Sequence, residues 1–361
     1  MTRIFLTTIA FTLLLAIACS GDKKSPTSPD DESAPATTGG LLYFATYHYR
    51  DNTDAVNHPD LAGALFTFNW RDIEAAQGVY DWSSVEADIA PWIAAGKKVA
   101  LRLQWSANGA WADPRHDTPT PQWVWDVGAK FAWSVGTGTE VPLQWDPVYQ
   151  EHAEKFLQTV ADKWDGDPRL LFLDVTPGGE TNPYRGSIDG SDAAFASVFA
   201  ATPASDGRTY DDTLWVQTVK QMINLANAAF TQTPLLVTLN RGSIADGPWH
   251  FEEFGDYAIS RGCMVGQNGL GAGSFPPEGN RAGYFRNWKP LTRFYFEMVG
   301  SSTGTRPGPI MGVMQAAEAI QADYLGVYPQ DVLLSLPGNP DYDAAYDEAL
   351  HYGASVIGTT P

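Results

Sequence analysis

Along residues 41–361, short apolar or β-branched runs alternate with stretches whose apolar residues recur every third or fourth position. The runs are Leu41–Tyr47, Ala64–Asn69, Lys98–Trp105, Arg169–Val175, Pro234–Asn240, Cys263–Gln267, Thr292–Glu297 and Tyr324–Tyr328, eight in all, and each has the length and composition of a strand. Between them Tyr149, Ala153, Phe156, Leu157, Val160 and Trp164 form one helical stripe. Trp215, Val219, Met222, Ile223 and Ala226 form a second, and Val85, Ile89, Trp92 and Ile93 a third. The last holds Tyr342, Ala345, Tyr346, Ala349 and Leu350. Asp81 and Asp146 stand where N-caps belong, and Gly353 where the last helix would end. The helical pattern after the first, fifth and sixth runs is weak. This rhythm predicts an α/β fold, a single (β/α)8 barrel of the TIM type, with a long loop at 106–146 after the third strand. A doubly wound open sheet is the competing arrangement. Neither GxGxxG nor GxxxxGK[ST] follows any strand, which removes the usual nucleotide functions of that alternative.

In a barrel the chemistry belongs at the C-terminal strand ends. There the period of two puts Thr67 with Asn69, Arg102 with Gln104, and Thr238 with Asn240 on one face, and Val99, Leu101 and Leu103 on the other, towards the helices. Such a polar set suits a hydrogen-bonding substrate; it would equally serve as a structural layer bonded to itself. Two carboxylates stand out. Glu180 follows the fourth strand in Asp174-Val-Thr-Pro-Gly-Gly-Glu180-Thr-Asn182, and Glu297 ends the seventh in Phe294-Tyr-Phe-Glu297. A charge directly after an apolar strand is costly without a partner or a task. Paired carboxylates flanking a glycosidic bond are what sugar hydrolysis requires. The plain alternative is a loop acid at 180 and an ion pair from 297 to Arg102 or Arg293. The long loop holds Trp111, Trp123, Trp125, Trp133 and Trp145, five of the 13 tryptophans of the chain, and flat aromatic faces stack on the apolar faces of pyranose rings. Several of these could instead form a small core for the loop.

The order of elements resembles the large clan of retaining (β/α)8 glycosidases that includes cellulases, agarases and β-galactosidases. That clan carries its acid/base glutamate after the fourth strand and its nucleophile after the seventh, the places of Glu180 and Glu297. The stretch Trp70-Arg-Asp-Ile-Glu74-Ala-Ala-Gln-Gly78-Val-Tyr80-Asp81-Trp82 is similar to the W-x-x-IE-x-x-x-G-x-YDW segment of β-galactosidase-like members; within it, Glu74 suits a turn at the barrel rim better than catalysis. The resemblance implies a glycosidase, a hydrolase of β-linked oligo- or polysaccharide, working by double displacement without a cofactor or metal. Glu180 would be the acid/base and Glu297 the nucleophile, the latter stabilised by Arg102 or an amide such as Asn240. Sugar contacts would come from Asn69, Arg102, Gln104, Trp105, Trp111, Trp125, Asn182, Asn240, Tyr328 and His48. One departure is important: Gly179 precedes Glu180, where most of the clan has an Asn that binds the sugar 2-hydroxyl. Asn182 or another amide would have to replace it. That departure leaves room for a glycan-binding lipoprotein on a degenerate barrel.

The first 18 residues carry one positive charge, Arg3, then an apolar stretch ending in Ala-Ile-Ala before Cys19. They read as a signal peptide rather than a membrane span. Cys19 followed by Ser-Gly-Asp resembles a bacterial lipoprotein signal, which implies cleavage before Cys19 and its acylation. Residues 19–40 are then a lipidated cysteine with a flexible Ser/Pro/Asp/Thr tether, and 41–361 the catalytic domain, anchored in the bacterial cell envelope at an outer membrane or cell surface; a plain signal peptide with an incidental Cys19 would leave it secreted or periplasmic. Contact with the membrane would run through the lipid alone. The partner would be carbohydrate, and the chain a monomer. With 23 Lys and Arg against 42 Asp and Glu, the net charge is -19, which disfavours nucleic acid and anionic headgroups. Cys263 is the second of only two cysteines, so neither a zinc cluster nor a disulfide framework can form. The six histidines show no HExxH or HxH spacing, and no GxSxG elbow occurs. A metal-dependent hydrolase is therefore the weaker enzymatic alternative.

Overall fold

A computed structural model describes residues 39–45, 50, 52–105, 119–134, 138–184, 193–244 and 247–359. The chain divides into a unit Met1–Ala36 and a unit Thr37–Pro361; all described residues belong to the second. The expected signal peptide, Cys19 and most of the tether lie outside them.

Eight parallel strands close into a barrel: β1 (Gly40–Ala45), β2 (Leu61–Asn69), β3 (Lys98–Gln104), β4 (Leu170–Asp174), β5 (Leu235–Thr238), β6 (Met264–Leu270), β7 (Phe294–Met298) and β8 (Tyr324–Val327). Each pairs with the next in sequence, and β8 pairs with β1. The unit is therefore a (β/α)8 TIM barrel. Each of the eight apolar runs overlaps one of these strands.

Period-two alternation divides the barrel into two cores. Leu42, Leu65, Ala100, Phe172, Leu236, Met264, Tyr295 and Tyr324, one from each strand, pack together inside the barrel as a cluster of their own. Alternate residues such as Leu41, Val99, Leu101, Val237 and Phe296 pack outward against the helices in the main core. Two residues beyond the inner ring, the same parity gives Phe44, Thr67, Arg102, Asp174, Thr238, Gly266, Glu297 and Gly326. An apolar floor thus supports a polar layer at the C-terminal mouth.

The helices follow the sequence stripes with local corrections. Asp146 caps Pro147–Trp164, its Oδ1 accepting from Val148 N and Tyr149 N. Asp81 Oδ1 accepts from Ser83 N at the start of Ser83–Ala94. Gly353 does not end the last helix, which runs Ala344–Val356. Gly is there for close packing, since a Cβ at 353 would lie 2.6 Å from Met314 Sδ. After β1 the described residues hold only the single turn Asp54–Asn57, whereas full helices follow β5 (Phe251–Ser260) and β6 (Asn280–Trp288). The long loop after β3 carries an antiparallel hairpin, Phe131–Ser134 with Thr139–Pro142, where only loop is predicted. Cys263 is a free buried thiol, pushed up to about 12 by that burial. No helix among the described residues is long and apolar enough to cross a membrane.

Candidate active site

Arg102, inward on β3, is the hub of the mouth. Its Nε donates to Asp174 Oδ2 at 2.7 Å, its Nη1 to Glu297 Oε2 at 2.7 Å, and its Nη2 to Asn268 Oδ1 at 3.4 Å. It thereby ties β3 to β4, β6 and β7 across the lumen. Its side chain is 15% exposed, against 1% for Asp174 and 9% for Glu297. Burial disfavours the charge of Arg102, but Glu297 and Asp174 more than offset this and hold the guanidinium protonated well above its ordinary range. Arg293, the other candidate partner for Glu297, lies 3.9 Å from Asp323 instead.

Tyr295, one step below on β7, donates its hydroxyl to Glu297 Oε2 at 3.4 Å. Burial, and then the negative charge of Glu297, raise the phenol well above its usual range, so it remains a donor. Gly326 on β8 provides the space, since a Cβ there would lie 2.5 Å from the Tyr295 hydroxyl. Asp174 Oδ1 accepts from Thr176 N at 3.1 Å and from the Thr176 hydroxyl, which meets Thr238 Oγ1 at 3.0 Å.

Glu180 sits on the loop after β4 and is 8% exposed. Its backbone is left-handed, with φ 57°, and so is that of Thr181, with φ 64°. Two consecutive non-glycine residues in this region cost about 1–2 kcal/mol each and persist only where the surroundings fix them. Thr181 N donates to Pro177 O, Gly179 and Asn182 exchange backbone hydrogen bonds, and Trp215 Nε1 donates to Thr181 O at 3.0 Å. Gln144, fully buried, accepts from Gly178 N at 3.1 Å. The Glu180 carboxylate accepts from Asn240 Nδ2 at 2.7 Å, and Asn240 Oδ1 accepts from Arg241 N at 2.8 Å.

Register relates Asn240, the hydrogen-bond partner of Glu180, to Glu297. Thr238 is opposite Gly266, and Asn268 opposite Glu297, so Asn240, two residues past Thr238, shares the row of Asn268 and Glu297. The strands leading to Asn240 and carrying Glu297 are two apart, roughly 10 Å between axes, and the Asn240 amide holds the Glu180 carboxylate on its side of that mouth.

Several expected contacts are placed otherwise. Asn240 serves Glu180 rather than Glu297. Asn69 is fully buried, and its Nδ2 donates to Asp72 Oδ2 at 2.7 Å, supporting the turn after β2. Trp105 is 1% exposed on the outward parity of β3, its Nε1 donating to Thr176 O. Trp125 is 8% exposed, packed against Phe131 and Tyr149. These two rings are core, with no face for a sugar, because the loop needs its own apolar centre. Trp145 is buried as well, and Trp123 half-buried. Gln104 and Tyr328 are half-buried at the mouth, Tyr328 edge-on to Phe44 at 5.5 Å. Asn182 Oδ1 accepts from Gly242 N at 2.8 Å, joining the loops after β4 and β5. His48 and Trp111 lie outside the described residues. Glu74 accepts from Trp70 Nε1 and Gly78 N, both at 2.8 Å, a rim turn as its surroundings in sequence indicate. Sequence reasoning assigns no role to Asp174, Thr176, Asn268 or Tyr295, although extending the parity of Arg102 and Glu297 along each strand reaches all four. Among the described residues no group of three or more His, Cys, Asp or Glu is placed to hold a metal ion.

No protein-family model and no curated protein matches the chain. Solved structures do. The catalytic domain of β-amylase from Paenibacillus polymyxa aligns with a TM-score of 0.59 at 9% identity, over 91% of this chain and all of that one. The β-galactosidases of Rahnella sp. R3 and Marinomonas ef1 align with TM-scores of 0.54 and 0.52 at 11% and 12% identity, over 89% and 88% of this chain. The chain spans only 56% and 59% of those two proteins. At such identities the likeness is one of fold: the barrel resembles glycoside hydrolase catalytic domains.

Proposed function

We propose that the barrel is a retaining glycoside hydrolase acting on β-linked oligo- or polysaccharide, with Glu297 as nucleophile and Glu180 as acid/base. The observation that carries this reading is the different wiring of two nearly buried glutamates at one mouth. Glu297 accepts from a cation and a phenol, Arg102 and Tyr295, which keep a nucleophile ionised. Glu180 accepts from a neutral amide, Asn240, on a loop fixed in a left-handed turn. Glu180 protonates the leaving oxygen while Glu297 attacks the sugar carbon; water, deprotonated by Glu180, then releases the glycosyl group. Glu297→Ala abolishes turnover on a panel of β-linked substrates. Glu180→Ala spares activated aryl glycosides, and azide restores part of its rate as the glycosyl azide of retained configuration. A bell-shaped pH profile accompanies this pairing. Loss of neither activity nor binding in both variants would sink the assignment.

A second reading is favoured by Gly179 in place of Asn: a glycan-binding barrel without turnover. Oligosaccharide binding unchanged in Glu180→Gln, with no hydrolysis by the parent, marks that case. In either reading we place the protein in the cell envelope through acylated Cys19; Cys19→Ala then releases it from the membrane fraction.

A further inference from the structure

Of the twelve tryptophans among the described residues, only Trp133 and Trp249 are largely exposed, at 48% and 49%. Both lie on loops of the C-terminal mouth, after β3 and β5, the strands that flank β4 and its Glu180 loop. The loop after β5 is the more tightly tied to chemistry. It begins with Asn240, whose amide holds the Glu180 carboxylate, and continues with Arg241, whose N–H fixes that amide. Arg241 Nη1 then donates to Gly247 O at 2.9 Å, and its guanidinium lies 5.6 Å from the centre of the Trp249 ring. Phe251 lies alongside that ring, 5.8 Å between centres and 23° from parallel. Half of the indole surface is nonetheless open to solvent. Leaving a large aromatic ring in water is unfavourable, yet here a cation and a neighbouring ring hold it in place at the rim.

Resting on the glycosidase reading above, we infer that Trp249, propped by Arg241, is a stacking platform for a sugar unit on the leaving-group side of the scissile bond. The side follows from Glu180, which must reach the leaving oxygen: its partner Asn240 and the platform share one loop. A rigid flat ring loses little freedom on binding, and the C–H face of a pyranose covers it. The preferred substrate class is thereby narrowed to chains whose leaving group is itself a saccharide.

The experiment compares Trp249→Ala, Trp249→Phe and the parent on an aryl glycoside and on the oligosaccharide of the same sugar and linkage. Trp249→Ala is expected to lose roughly tenfold in kcat/KM on the oligosaccharide, in line with one lost aromatic contact. It should match the parent on the aryl glycoside, while Trp249→Phe recovers part of the loss. Equal loss on both substrates, or none on either, overturns the platform. If the parent hydrolyses nothing, the glycosidase reading fails, and calorimetric titration with the oligosaccharides still decides the platform: it stands if Trp249→Ala binds them about tenfold more weakly and falls if affinity is unchanged.

Discussion

Two carboxylates share one guanidinium at the centre of the mouth, so loss of Arg102 is costly to the barrel. Arg102→Met would leave Asp174 and Glu297 nearly buried without their cation. Breaking a buried pair by removing one partner costs about 3–5 kcal/mol. Urea unfolding at pH 7 is expected to show a loss of that size with an unchanged m-value. A drop below about 1 kcal/mol, the range of exposed pairs, would mean that water reaches the pair freely. At the same scale, the Trp125 and Trp105 rings illustrate why residue type alone misleads. Trp is the largest platform for a sugar and also the largest filler for a core, and only burial distinguishes the two uses.

Elements, not single side chains, aim Glu180. Gly178 has φ 67° and a Cβ there would meet Asn182 O at 1.9 Å, so Gly178→Ala cannot keep the left-handed turn beyond it. On the proposed glycosidase reading, the expected result is activity reduced more than about a hundredfold, the scale of a misplaced catalytic group, while the barrel remains folded, seen as an unchanged far-ultraviolet dichroism spectrum. The loop after Glu297 has its own anchor. Asp331, on the helix Pro329–Leu334 after β8, is fully buried and its Oδ1 accepts from Ser302 N at 2.8 Å, in the loop after Glu297. Burial raises this carboxyl to about 6 despite that hydrogen bond. The folded state then binds its proton more tightly than the unfolded chain, whose value is near 3.8. Stability from this group is complete below about pH 4 and is lost as pH rises to about 6. The loss amounts to roughly 3 kcal/mol. Asp331→Asn keeps the acceptor and removes the charge, so it should raise the melting temperature at pH 7 and leave it nearly unchanged at pH 4. A lower melting temperature at pH 7 would refute the assignment.

Across the whole molecule, charge has the widest reach. A net charge of -19 repels itself more in the compact state than in the unfolded chain, and salt screens that repulsion over a Debye length of about 10 Å at 0.1 M. Added sodium chloride between about 0.01 and 0.3 M should therefore raise the melting temperature at pH 8. The same series at pH 4.5, near the isoelectric point, should show little change. A fall at pH 8 would mean that attractive pairs such as Arg169 with Asp167 and Glu86 outweigh the general repulsion.

The eight strands, their order and the inward parity of Thr67, Arg102 and Thr238 were determined by the sequence itself, because strand periodicity is a local property of the backbone and a buried parallel strand must be apolar. Which polar groups meet was decided only by closure of the barrel. Arg102 and Glu297 are 195 residues apart, Glu180 and Asn240 60, and nothing local selects Asn240 for Glu180 over Glu297. The left-handed turn at Glu180 and Thr181 also depends on distant groups, Gln144 and Trp215, that hold a conformation neither residue prefers alone. The tryptophans followed the same division: their place in the long loop was legible, but their exposure was set by the packing of the hairpin and helices that the loop contains.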